Sequence, residues 1–170
     1  MQPNSNRRLE DTRIYARESL REILLADFKT ALPISGGWGY EIKDAVVINK
    51  QSSNGVGEIP QNRLSIQNFI IQKRAFEELI IFRKTGDAFG EIKWSPISQR
   101  LLSFSEKKYD HLRFSITCLH DSDIERLKNE YFDQHDKVDA ISDWKEFVTS
   151  HADLHYHYET DYWFDISAFP

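Results

Sequence analysis

Three histidines lie close together late in the chain, His151-x-x-x-His155-x-His157, with Asp153, Glu159 and Asp161 around them. Neutral imidazole is a good zinc ligand, and side chains two apart on a strand point the same way, so these residue types could hold a metal ion. The spacing works against it. Glu159 would lie roughly 13 Å along a strand from His155, at about 3.3 Å per residue, and reaches the same ion only if the strand bends. No His-Glu pair on a helix offers a second anchor. Solvated or partner-facing histidines are therefore expected, with no metal and no cofactor.

The other candidates have structural explanations. Ser35-Gly36-Gly37-Trp38-Gly39 resembles an anion-binding glycine loop, but it lacks the Lys-Ser/Thr ending of a phosphate loop and precedes a strand where nucleotide loops precede a helix. A tight turn with Trp38 packed over it suffices. Cys118 alternates with Phe114 and Ile116, which puts it on a core face, where a thiol is inert. His120, Asp121, Asp123 and Glu125 could be an acid-base group, yet carboxylates in the first turn of a helix are favoured by its dipole. Arg83-Lys84 and Lys107-Lys108 are too small for a nucleic-acid footprint. No catalytic residues are assigned.

Charge is distributed unevenly along the 170 residues: the whole chain carries 22 Lys and Arg against 27 Asp and Glu, but residues 121 to 170 carry 4 against 13. The acidic stretch also holds Tyr131, Phe132, Trp144, Phe147, Tyr156, Tyr158, Tyr162, Trp163, Phe164 and Phe169. Carboxylates repel nucleic acid and anionic lipid but attract a basic protein, and aromatic rings supply rigid contact area. The expectation is an acidic, aromatic protein-binding surface.

The elements that must position it are read from periodicity. Ala16, Leu20, Ile23, Leu24, Phe28 and Ala31 recur at helical spacing, predicting one long N-terminal helix over Leu9 to Leu32, stopped by Pro33. Ala45 to Ile48 reads as a buried strand, and residues 49 to 63 as a loop. Ile66 to Phe82 fits either helix or strand, and strand is preferred for its second half. Short strands are expected around Ile92 to Trp94 and Gln99 to Phe104. Leu112, Phe114, Ile116 and Cys118 alternate strictly with polar residues, the clearest strand in the chain. Ser122-x-x-Glu125 is a capping-box pattern opening a helix that runs to about His135, with a second short helix from Ser142. Leu154 to Ala168 reads as a terminal hairpin.

These elements do not follow βαβ alternation, so the expected class is α+β, a mainly antiparallel sheet packed with the long N-terminal helix and shorter C-terminal helices. The length suits a single domain over residues 1–170, with 1–8 disordered. A 40% hydrophobic and 29% charged composition is ordinary, and one cysteine excludes an internal disulfide. The polar start argues against a signal peptide and no apolar run is long enough to span a membrane, so a cytoplasmic location is expected.

Ile34-Ser35-Gly36-Gly37-Trp38-Gly39-Tyr40 with Asp44-Ala45-Val46-Val47-Ile48, then Gln72-Lys73-Arg74-Ala75-Phe76-Glu77-Glu78-Leu79-Ile80 and Tyr109-Asp110-His111-Leu112, resembles bacterial immunity proteins of polymorphic toxins, of the contact-dependent inhibition type. The likeness spans roughly residues 30 to 130. It implies a non-enzymatic partner of a toxin C-terminal domain, often a nuclease. Basic nuclease sites suit acidic inhibitors. From charge and ring content, the partner-binding residues are assigned as Asp153, Tyr156, Tyr158, Glu159, Asp161, Tyr162, Trp163 and Asp165. The competing readings are a metal-dependent or small-ligand enzyme using His151, His155 and His157, and a general adaptor domain.

Overall fold

Ten residues late in the chain form the strand around which the rest of the sheet assembles. The computed structural model describes residues 7–50, 62–134 and 140–169. Among them are six strands, β1 (Arg7–Arg8), β2 (Ile34–Gly36), β3 (Val46–Ile48), β4 (Phe89–Phe104), β5 (Lys107–His120) and β6 (Tyr156–Asp165). Four α-helices accompany them: α1 (Leu20–Phe28), α2 (Arg63–Phe76), α3 (Asp121–Gln134) and α4 (Ala140–Ser150). The sheet order is β2-β3-β6-β5-β4. β5 runs antiparallel to β6 along one side, while β1 and β3 pair parallel to β6 on the other. The fold is α+β with a mostly antiparallel sheet.

Side-chain alternation on β5 and β6 divides the sheet into two faces. On the inner face, Phe114, Ile116 and Cys118 of β5 and Tyr158, Tyr162 and Phe164 of β6 are buried. Phe114, Tyr162 and Phe164 meet Leu20 and Leu24 of α1 and Ile66, Ile70 and Ile71 of α2 in the main core, while Ile116, Cys118 and Tyr158 pack with Ala75, Leu79 and Phe89 in a second cluster. Leu119, one residue out of phase, turns to the outer face and packs with Leu127 of α3, Val148 of α4 and Leu154. The helix pair thus covers one end of the outer face. The expected core face of β5 and its inert thiol are as read: Cys118 is fully buried, and burial pushes it up to about 12.

The long N-terminal helix does not form. Arg7 and Arg8, assigned to disorder, pair with Tyr156 and His157, and the Leu9 N–H donates to the His157 carbonyl at 2.9 Å. The helix begins only after Ser19, whose hydroxyl accepts from the Glu22 N–H while the Glu22 carboxylate accepts from the Ser19 N–H. This capping box makes Ser19 a boundary that apolar spacing alone does not show. Lys29, in the left-handed conformation, ends α1.

Ile66 to Ile81 is helical throughout, so the strand preferred for the second half of Ile66 to Phe82 is corrected. Asn62 caps α2 by accepting the Ser65 N–H at 2.8 Å, and a π-helical turn, Glu77–Ile81, continues it. The run Leu79-Ile80-Ile81-Phe82 has one buried member, Leu79; the other three are exposed at the helix end. The two short strands expected over 92–104 are one strand, continuous through bulges at Gly90/Lys93 and Pro96/Ser98. Pro96 is tolerated because β4 lies at the sheet edge.

The terminal hairpin is also corrected. β6 pairs with β5 without a break from Asp165↔Tyr109 to Tyr156↔Cys118, so the polar Glu159-Thr160-Asp161 lies within a strand and is no turn. α3 starts at Asp121, one residue before the expected capping serine. His120 Nδ1 accepts the Ser122 N–H at 3.2 Å and serves as the cap. Most of the loop expected over 49–63, and the helix end near His135, lie outside the described residues.

Candidate partner-binding surface

The outer face of the sheet is built from alternate residues of β4, β5 and β6. His111 stands beside Trp163, Arg113 beside Asp161 and Ser115 beside Glu159; on β4, Arg100 continues the His111 row, and Leu102 and Phe104 stand beside Tyr109 and Lys107. The carboxylates of β6 find nitrogen partners on β5. His111 Nε2 lies 2.7 Å from Asp161 Oδ1, Arg113 Nη2 2.7 Å from Glu159 Oε2, and Lys107 Nζ 2.9 Å from Asp165 Oδ2. The acidity so conspicuous along the chain is therefore matched in space, because the strand that carries it is flanked by a basic one. What stays acidic is the helix pair, where Asp121, Glu125, Glu130, Asp133, Asp143 and Glu146 are exposed.

The eight residues assigned to partner binding are split by strand alternation. Tyr158, Tyr162 and Asp165 are buried and offer no surface, a correction to the expected face. The Tyr158 hydroxyl donates to Glu78 Oε2 at 2.6 Å and that of Tyr162 to the Ile71 carbonyl at 3.2 Å. Asp165 accepts from Lys107 and from both the hydroxyl and the N–H of Ser167. Burial raises its carboxyl, but these donors outweigh it and hold it below its ordinary value. Tyr156 is half-buried, its ring edge-on to Phe89 and beneath Arg7. Glu159, Asp161 and Trp163 do reach the outer face. Trp163 stacks on His111 with centroids 4.0 Å apart and planes at 9°, and meets Tyr109 edge-on. Asp153 is exposed in the turn before β6, apart from that row.

The most apolar accessible surface is elsewhere. β4 has β5 on one side and, among the described residues, no strand on the other. Along it Trp94, Ile97, Leu101, Leu102 and Phe104 are exposed, Leu101 and Phe104 at 66%. An unpaired edge of this length with apolar side chains is a template for another polypeptide. Periodicity hid it, since β4 read as two short fragments. α3 and α4 adjoin its first residues, where Ile124 stands over Gly90 and Trp144 Nε1 donates to Glu91 at 3.3 Å.

Beneath the sheet lies a charged cluster that sequence reasoning missed. The Arg74 and Glu78 side chains are both wholly buried, with Nε 3.2 Å from Oε1. Arg74 donates to the carbonyls of Trp38 and Asp161 and to the Thr160 hydroxyl, and its guanidinium is flanked by the Tyr40 and Tyr162 rings. Burial raises the Glu78 carboxyl, against the pull of Arg74 and of hydroxyl donors from Tyr158 and Tyr40. One residue earlier in the chain, burial and then the nearby Asp27 push Glu77 up to about 8. The cluster joins α2 to the glycine turn and to β6. Its signal was an Arg and a Glu at i, i+4 within an apolar helix face.

No family model, curated protein or solved structure matches the chain. The remaining sites are thus judged on their geometry. The imidazoles of His151, His155 and His157 do not converge: His151 Nδ1 donates to the Phe147 carbonyl at 2.8 Å, and His155 Nδ1 to the His151 carbonyl at 3.1 Å. Among the described residues no group of three His, Cys, Asp or Glu could hold a metal ion. In the glycine turn, Asp44 accepts the N–H groups of Trp38 and Tyr40, and a Cβ on Gly37 would fall on that carboxylate. The turn is filled from within. No helix among the described residues is long and apolar enough to cross a membrane.

Proposed function

We propose that this chain is a protein-binding inhibitor, the immunity partner of a bacterial toxin C-terminal domain, and that it acts by occlusion without a chemical step of its own. The observation that carries the reading is the edge strand β4, 16 residues long and lined with exposed Trp94, Ile97, Leu101, Leu102 and Phe104. Such an edge supplies backbone hydrogen bonds and apolar contacts together. The neighbouring outer face adds Glu159, Asp161 and Trp163 from the original assignment. The exposed carboxylates of α3 and α4 lie next to the start of β4 and supply long-range attraction for a basic toxin.

The test is protection. Cells expressing the chain should survive expression of the toxin domain encoded beside its gene, and Leu102→Asp with Phe104→Asp should abolish survival while leaving the thermal transition in place. Survival unchanged by that double variant, or no measurable affinity between the purified pair, would refute the assignment.

A further inference from the structure

A pocket of about 380 Å³ opens between α2 and the Pro96–Gln99 segment of β4. Its walls are apolar: Leu64 and Ile71 from α2, Ile97 from β4, and Leu112 and Phe114 from β5. Its polar lining includes Gln67 and Gln99, and both amides are already committed. Gln67 Nε2 donates to Asp110 Oδ2 at 3.0 Å, and Gln99 Nε2 lies 3.0 Å from each Asp110 oxygen. These bonds turn an N–H of each amide toward Asp110, and each amide keeps its carbonyl oxygen as an acceptor. Behind them stands a carboxylate that is wholly buried and, among the described residues, has no cation within ion-pair distance.

A cavity with apolar walls, amide oxygens and a buried acidic side chain without a cation partner behind them is complementary to a long cationic side chain, whose stem is apolar and whose head carries only donors. Gln67 is 2% exposed and Asp110 is at 0%, so the negative potential is poorly screened by solvent. The pocket also adjoins the unpaired edge of β4, along which an extended chain can run. We propose that this pocket receives a lysine or arginine side chain from an extended segment of the partner protein, laid against β4. The inference rests on the protein-binding function above and specifies which side chain of the partner is read.

The experiment needs no toxin, so its failure is distinguishable from failure of the protection assay. Amide spectra of the full chain are titrated with a short threonine-rich peptide bearing a central arginine, with the same peptide bearing the neutral isostere citrulline, and with N-acetyl-arginine amide alone. The arginine peptide should perturb amides of 64–71 and 97–99 and bind about tenfold more tightly than the citrulline peptide, the ratio expected of one partly screened charge. Asp110→Asn should erase that ratio. Should Asp110→Asn not fold, Gln99→Leu, at an exposed position, removes one acceptor from the pocket and should weaken the arginine peptide. Equal affinities for the two peptides, or no perturbation at these residues, overturn the proposal. If N-acetyl-arginine amide binds as tightly as the peptide, the strand-borne source is overturned in favour of a free small cation.

Discussion

Arg74 and Glu78 face each other one helical turn apart, Nε to Oε1 at 3.2 Å, and neither side chain touches solvent. Such a pair is worth little against an apolar replacement but is expensive to break, because the survivor is left buried and uncompensated. Glu78→Gln keeps the shape and removes the counter-charge. It should lower unfolding free energy by about 3 kcal/mol in urea titration. A loss below about 1 kcal/mol would mean that the tyrosines around Arg74 carry the site unaided.

Two buried carboxyls should give stability opposite slopes with pH. Glu77 has its folded value raised to about 8 from 4.5, so its contribution is complete below 4.5 and lost as pH climbs through about 8. Glu77→Gln removes this dependence. Relative to wild type the variant should gain on the order of 2 kcal/mol between pH 5 and pH 9, discounted because Asp27 is solvated. Parallel stability curves for the two proteins would contradict the assignment.

Asp165 is the converse case, with a folded value below its ordinary 3.8. Its contribution is present above 3.8 and fades as pH falls through the folded value. Asp165→Asn should flatten the acid limb of the melting-temperature profile and lower stability near neutrality by about 1–2 kcal/mol. An unchanged acid limb is the contrary result.

Leu101 and Phe104 are both 66% exposed, so Leu101→Lys and Phe104→Lys should each shift stability by less than about 0.5 kcal/mol. Their effect should fall on association. Sedimentation at high concentration should show less self-association than wild type, since charge on an edge strand opposes pairing. A large drop in melting temperature would instead place these side chains in the core.

Gly37→Ala should disrupt the turn before β3. The added methyl would occupy the position of the Asp44 carboxylate, which holds the N–H groups of Trp38 and Tyr40. A loss of about 2 kcal/mol in denaturant unfolding is expected for displacing both bonds. A neutral outcome would show that Asp44 can withdraw without consequence.

The elements legible in the sequence were those governed by a single local rule. β5 declared itself because Leu112, Phe114, Ile116 and Cys118 share one face, and Val46 to Ile48 because a short β-branched run was bounded by turns. The α+β class followed from element order. What failed involved competition between rules. Residues 9–18 have helical spacing, but the backbone of Leu9 is taken by His157 and Ser19 fixes the start of α1 downstream. Leu79 to Phe82 looked like a strand because composition ignores which members are buried. Leu154 to Ala168 reads as a hairpin, whereas Thr160 sits inside one strand and its hydroxyl serves a buried guanidinium contributed by a residue 86 positions earlier. Three of the eight residues assigned to the partner surface, Tyr158, Tyr162 and Asp165, were misplaced because linear charge and ring counts do not see strand alternation.

The position of β6 in the middle of the sheet has a bearing on how the molecule is made. Every other strand but β2 and β4 hydrogen-bonds to it directly, and it follows all of them in the sequence. During translation β1, β3 and β5 must therefore wait for residues 156–165 to leave the ribosomal tunnel before they can join. Until then the β4–β5 hairpin stands with two unguarded margins in place of one, which makes the nascent chain a natural client for holding chaperones.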